Sequence, residues 1–239
     1  MTNCTNCDGQ IKENFCPKCG QSAKLKRIDG KYLLNEFEHV IHLDRGIFYT
    51  IKELLIRPGK NIQEFISNDR NRLVKPILFI VITSLIYSVL SHLFHIEDSY
   101  IEFGEAEQST TGIIFQWVNN HYGYATIIMS IFIAFFLKLF FKKYDFNFFE
   151  ILILMCFVMG MGMLIFAFFT VLQGLTKVTL MPIAGGVGFL YMTWAMGQFF
   201  DKKKVGSYIK SFLAYFLGML LFSIAVIGIG TLIDLIIKH

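Results

Sequence analysis

Ionisable side chains are scarce where they would cost most. Beyond Ile77 the long apolar stretches carry such groups only near their margins, at His92, Lys138, Glu150 and Asp234. A proton- or ion-coupled pump keeps carboxylates or histidines deep in the bilayer, so this pattern argues against one. The catalytic signatures are missing too. There is no His-Glu-x-x-His, Gly-x-Ser-x-Gly elbow, P-loop or dinucleotide fingerprint, which removes the common metalloprotease, hydrolase and nucleotide-dependent classes. No early apolar run follows Met1, so no cleavable signal peptide is expected and the spans themselves direct insertion.

What remains is strongly apolar. Of 239 residues 54% are hydrophobic and 16% aromatic, and the mean hydropathy is +0.54, more than a soluble chain of this length carries. Five segments are long enough for a core that takes about 20 helical residues: 77–94, 124–141, 151–172, 180–200 and 212–237. Gln173, Gly174, Lys177 and Pro182 mark the turn between the third and fourth. A kink there instead would give four spans, and six is a further alternative. The fold class expected is an all-α polytopic membrane protein with about five transmembrane helices, a small N-terminal zinc ribbon and cytoplasmic amphipathic helices. Its parts are residues 1–25, 31–75 and 76–239.

Basic residues set the expected orientation. Thirteen of the 22 Lys and Arg precede the first span, and the 95–123 segment has Glu97, Asp98, Glu102, Glu105 and Glu107 with no Lys or Arg. Lys138, Lys142 and Lys143, then Lys202, Lys203, Lys204 and Lys210, fall on the same side as the N-terminus. The N-terminus is therefore expected inside and the C-terminus outside. The net charge of +4 is accounted for by topology and an anionic inner leaflet, and the scattered Lys12, Lys18, Lys24, Lys26 and Arg27 argue against nucleic-acid binding.

Chemistry is concentrated at the start. Cys4-x-x-Cys7 and Cys16-x-x-Cys19 present four thiols at the spacing that closes a tetrahedral shell around one structural Zn²⁺, with Pro17 and Gly20 favouring the second turn. Two disulfides are the alternative; cysteines two residues apart are poor partners, and a reducing cytoplasm disfavours them.

Between cysteines and membrane, helical periodicity is expected over 31–43 (Leu33, Phe37, Val40, Ile41), 46–56 (Ile47, Thr50, Ile51, Leu54, Leu55) and 60–67 (Ile62, Phe65, Ile66), with Pro58 and Gly59 ending the second. Their apolar faces need a cover: the membrane interface, the spans or a partner protein. Arg57, Arg70 and Arg72 are candidate phosphate or headgroup contacts, against a reading in which they only set topology. His92 and His95, followed by Glu97 and Asp98, are candidates for a second metal on the outer face, against an ordinary interfacial role. Glycines and the Ala184–Gly188 pair favour close helix packing or self-association.

The cysteine pairs, the acidic-hydrophobic helix, the threonine-bearing helix ending in Arg57-Pro58-Gly59, the Arg70 and Arg72 stretch and Pro76 opening the first span together resemble an uncharacterised bacterial membrane family, domain of unknown function 3667. The resemblance covers about the first 95 residues. Asn68-Asp69 departs from it, standing where a glycine and a basic residue are expected. It implies a zinc ribbon on a multi-pass protein of the bacterial inner membrane and brings no established activity. Three functions follow as expectations: a non-enzymatic scaffold, regulatory or assembly factor docking a partner through its N-terminal region; a transporter or lipid-handling protein gated by its cytoplasmic helices; or a membrane enzyme with an outer-face metal site. Membrane lipids and a second copy of the chain are the other expected partners.

Overall fold

The computed structural model describes residues 2–4, 7, 9–11, 15–20, 46–94, 110–120 and 122–237. The helix expected over 31–43 lies outside them. Two short strands, β1 (Thr2–Asn3) and β2 (Gln10–Ile11), pair antiparallel with Thr2 opposite Ile11. Eight helices follow among the described residues: α1 (Ile47–Ile56), α2 (Pro58–Ser67), α3 (Pro76–Leu93), α4 (Thr110–Asn120), α5 (Tyr122–Phe140), α6 (Phe148–Thr176), α7 (Met181–Asp201) and α8 (Val205–Ile237).

Helices α3, α5, α6 and α8 are long and apolar enough to cross a membrane. Of the five segments expected, the fourth, α7, falls outside this measure. It is long enough, but Pro182, four glycines and Gln198 dilute its apolar character below that of the others. It is nevertheless a separate helix rather than the far side of a kink. Helix α6 stops at Lys177, whose backbone is left-handed (φ 60°), and the Gln173 side-chain carbonyl accepts from the backbone N–H groups of Leu180 (2.8 Å) and Met181 (3.2 Å). One side chain thereby satisfies two donors that the start of α7 would otherwise leave orphaned.

The five long helices run alternately up and down. At the end where α3, α6 and α8 begin, Phe141 after α5 stacks on Phe200 of α7 at 3.7 Å, and Phe146 meets Phe199 at 4.6 Å. At the far end Phe94 packs on Gly174 of α6, and Asp234 of α8 accepts from the Thr110 N–H at 3.0 Å, capping α4. Small residues set the spacing: Gly160 receives the Phe79 ring, and Gly218 lies against the α5 backbone at Ile133. Met155, Met159, Met161 and Met163 are all buried as packing in α6.

Pro58 and Gly59 do not simply end α1. Proline at the first helical position lacks only a donor that would be orphaned anyway, so Pro58 starts α2 two residues before the expected position. Gly59 is then pressed on the α7 backbone: a Cβ there would lie 2.5 Å from the Gln198 carbonyl oxygen. Leu54, Ile62, Phe65, Ile66, Leu73 and Val74 join the main core with Phe79, Phe157 and Phe199, so the bundle covers the inner faces of α1 and α2. Gly59→Ala is expected to push the hairpin off α7 at a cost of about 1–3 kcal/mol. A thermal midpoint in detergent equal to wild type would remove the close contact.

Candidate metal centre and the arginine latch

The four N-terminal sulfurs converge, all lying within 4.8 Å of one another. Pairing crosses the two motifs, with Cys4 Sγ 3.5 Å from Cys19 Sγ and Cys7 Sγ 3.5 Å from Cys16 Sγ. All four thiols are free. Corners of a tetrahedron around an ion with metal–sulfur bonds of about 2.3 Å stand about 3.8 Å apart, so the cluster is already near the size needed to hold a metal.

Local backbone builds the cradle. The β1–β2 pair carries Cys4 into a turn closed by its N–H donating to the Gly9 carbonyl at 2.9 Å, and the Gly20 N–H closes the second on the Cys16 carbonyl at 2.8 Å. Gly20 takes φ +74°, a conformation that favours glycine. Gly9 lies against the sulfurs, where a Cβ would be 3.3 Å from Cys7 Sγ and 3.4 Å from Cys16 Sγ. Cys4 and Cys16 are buried, Cys7 half-buried and Cys19 exposed.

The thiols differ in acidity. Burial opposes ionisation of Cys16, but the backbone N–H groups of Lys18 and Cys19 and the neighbouring thiols outweigh it and lower its pKa to about 6. For Cys7 the Gly9 N–H favours the thiolate, while the Cys19 thiol, burial and the other sulfurs prevail and raise the pKa to about 12. A metal must displace the remaining protons, so its affinity rises with pH and is lost on acidification.

The three arginines differ in their surroundings. Arg72 is a latch: its Nη1 donates to Glu64 of α2 and its Nη2 lies 3.3 Å from Glu53 Oε2 of α1. Its backbone is held by an Asx turn, in which the Asn71 N–H donates to Asp69 Oδ1 at 2.9 Å. Arg70 is half-buried in the same turn. Arg57 is exposed between α1 and α2, and no described residue pairs with its guanidinium. For Arg72 the carboxylates occupy the guanidinium edges that a phosphate would use. His92 lies exposed in the last turn of α3, while His95, Glu97 and Asp98 lie outside the described residues.

Sequence reasoning missed Gly9 and the two latch carboxylates. Glu64 was readable as the i+4 neighbour of Lys60, which it meets at 3.4 Å, but nothing local pointed to Arg72 eight residues on. Tyr191 and Gln63 were also missed. The Tyr191 hydroxyl donates to the Leu54 carbonyl at 3.0 Å and the Gln63 amide to the Phe199 carbonyl, contacts across more than 130 residues.

Two outcomes are expected. Arg72→Lys keeps the charge but cannot span both carboxylates, and a cycle of Arg72→Ala with Glu64→Gln should show coupling of about 1 kcal/mol in thermal unfolding. Zero coupling would mean that the latch holds nothing. Metal loaded at about pH 7.5 should be stripped far more readily by a chelator at about pH 5.5; retention independent of pH would exclude thiolate ligation.

No curated protein and no solved structure matches the chain. The segment with recognisable kinship is the docked hairpin, its latch and most of α3: at residues 44–88 the chain matches the family described as Protein of unknown function (DUF3667).

Proposed function

We propose that this is a non-enzymatic, multi-pass protein of the bacterial inner membrane in which a structural Zn²⁺ at Cys4, Cys7, Cys16 and Cys19 organises a small cytoplasmic module that docks a partner protein. The reading rests on the convergence of four free thiols from two turns. An all-sulfur, four-ligand set suits zinc and leaves no open coordination position, which suits structure rather than catalysis. So short a segment can enclose little apolar core, and the ion would supply that stability when bound.

Orientation is part of the proposal. Arg72, Lys138, Lys210 and the Lys202–Lys204 run gather at the bundle end where α3 begins, and two of them complete that end. The Lys138 Nζ donates to the Phe146 carbonyl at 2.6 Å, and the Lys210 Nζ to the Phe140 carbonyl at 3.2 Å. This end is cytoplasmic by the positive-inside rule, which places the C-terminus outside after α8. A second copy of the chain is the other partner this arrangement admits.

Elemental mass spectrometry of the detergent-purified protein is expected to give one zinc per chain, lost in the Cys16→Ser/Cys19→Ser variant. Wild-type protein without metal would overturn the zinc reading. Separately, a reporter enzyme that folds only in the periplasm, fused after residue 239, should be active; an inactive fusion, with a reporter that works only in the cytoplasm active at the same point, would reverse the proposed side of the C-terminus.

A further inference from the structure

Helix α1 has two apolar faces, and the bundle uses one. Thr50 and Leu54 are buried. On the opposite arc Phe48 is 82%, Leu55 50% and Ile56 55% exposed, with Tyr49 and Lys52 beside them. At 100° per residue positions 48, 49, 52, 55 and 56 share one side of the cylinder. The neighbouring helix differs. Outward positions of α2 are polar: Lys60 pairs with Glu64, and Ser67 turns back to the Gln63 carbonyl at 2.7 Å. Within the hairpin, exposed apolar area thus belongs to α1.

The hairpin also lies beside the ends of the long helices rather than beneath them. The Val74 N–H, two residues before α3, donates to Thr50 Oγ1 at 3.0 Å. The Leu54 carbonyl meets Tyr191, ten residues before the end of α7, or about 15 Å along its axis. Phe65 of α2 packs edge-on at 5.3 Å against Phe157, nine residues into α6, or about 14 Å. Contacts at these depths place α1 alongside the opening turns of α3 and α6, where a bilayer around those spans has its headgroup and upper acyl layer.

We infer that α1 is an interfacial membrane helix whose Phe48, Leu55 and Ile56 enter the acyl layer of the surrounding bilayer. Lys52, in the middle of the arc, lays its methylene stem along the apolar surface and lifts its ammonium to the phosphates. Tyr49 has the amphipathic ring suited to that boundary. Arg57, exposed at the hairpin turn, adds a second cation close by. The occupant of this surface is bilayer lipid, and the inference does not depend on the metal.

The test uses the full chain in vesicles of phosphatidylethanolamine and phosphatidylglycerol, with p-benzoylphenylalanine replacing Phe48 or, in a second variant, Ile56. Leu190, 68% exposed on α7, is the positive control and Lys60 the negative one. After irradiation, intact-mass spectra should show a shift of one lipid per chain at positions 48, 56 and 190 and none at 60. A cross-link at 48 and 56 to residues 21–45 would overturn the inference, because the chain itself would be the cover. So would a cross-linked dimer, which would make the cover a second copy. Absence of adducts at 48 and 56, with Leu190 reactive, would overturn it in favour of water.

Discussion

Two ten-residue helices cannot enclose an apolar core, so α1 and α2 depend on being held against the bundle. The decisive contact is backbone on backbone, Gly59 against Gln198 and Phe199. It brings Ile62 and Phe65 into a core already formed by Phe79, Phe157 and Phe199, and burying each such side chain contributes about 1.5–3 kcal/mol. The latch then fixes the angle between the two helices: Arg72 holds Glu53 on one and Glu64 on the other from a turn that leads directly into α3. First span, turn and hairpin therefore behave mechanically as one piece, which is also the stretch that matches the family.

Much of this was legible along the chain. Apolar length located the long helices, because a 20-residue run has few ways to bury itself. The Gln173–Pro182 break was readable from turn chemistry, and the cysteine spacing from the geometry of four ligands. Where reading fell short, the cause was distance in sequence. Pro58 was taken as a stop because a proline ends a helix unless it begins one, and only packing on α7 decides between them. Helix α4 begins at Thr110, whose N–H is taken up by Asp234 from the end of α8, a contact 124 residues away that no local pattern announces. The hydropathy of α7 mattered less than its neighbours, since α6 and α8 flank it and its near end is closed by aromatic stacking.

The basic residues serve two purposes at once. Lys138 and Lys210 count toward topology, yet each also donates to a carbonyl at or just beyond the end of α5. Cations there also face the negative end of the helix dipole. Glu150, which looked like a boundary charge, closes a reciprocal capping box with Asn147 at the start of α6, the backbone N–H of each residue donating to the other's side chain at 2.7 and 2.9 Å. Side chains that a rule about charge distribution would only count each finish a particular helix here.

Helices α1 and α2 are made early and finished late. Gln63 and Leu54 meet partners 136 and 137 residues further along, on a helix that leaves the ribosome long after them. At about 5–20 residues per second of synthesis that interval is on the order of ten seconds. Throughout it the hairpin's inner face, Leu54, Ile62 and Phe65, has no α7 to rest on. The biogenesis of this protein therefore includes a waiting period, and whatever shelters those side chains during it must give way when α7 arrives.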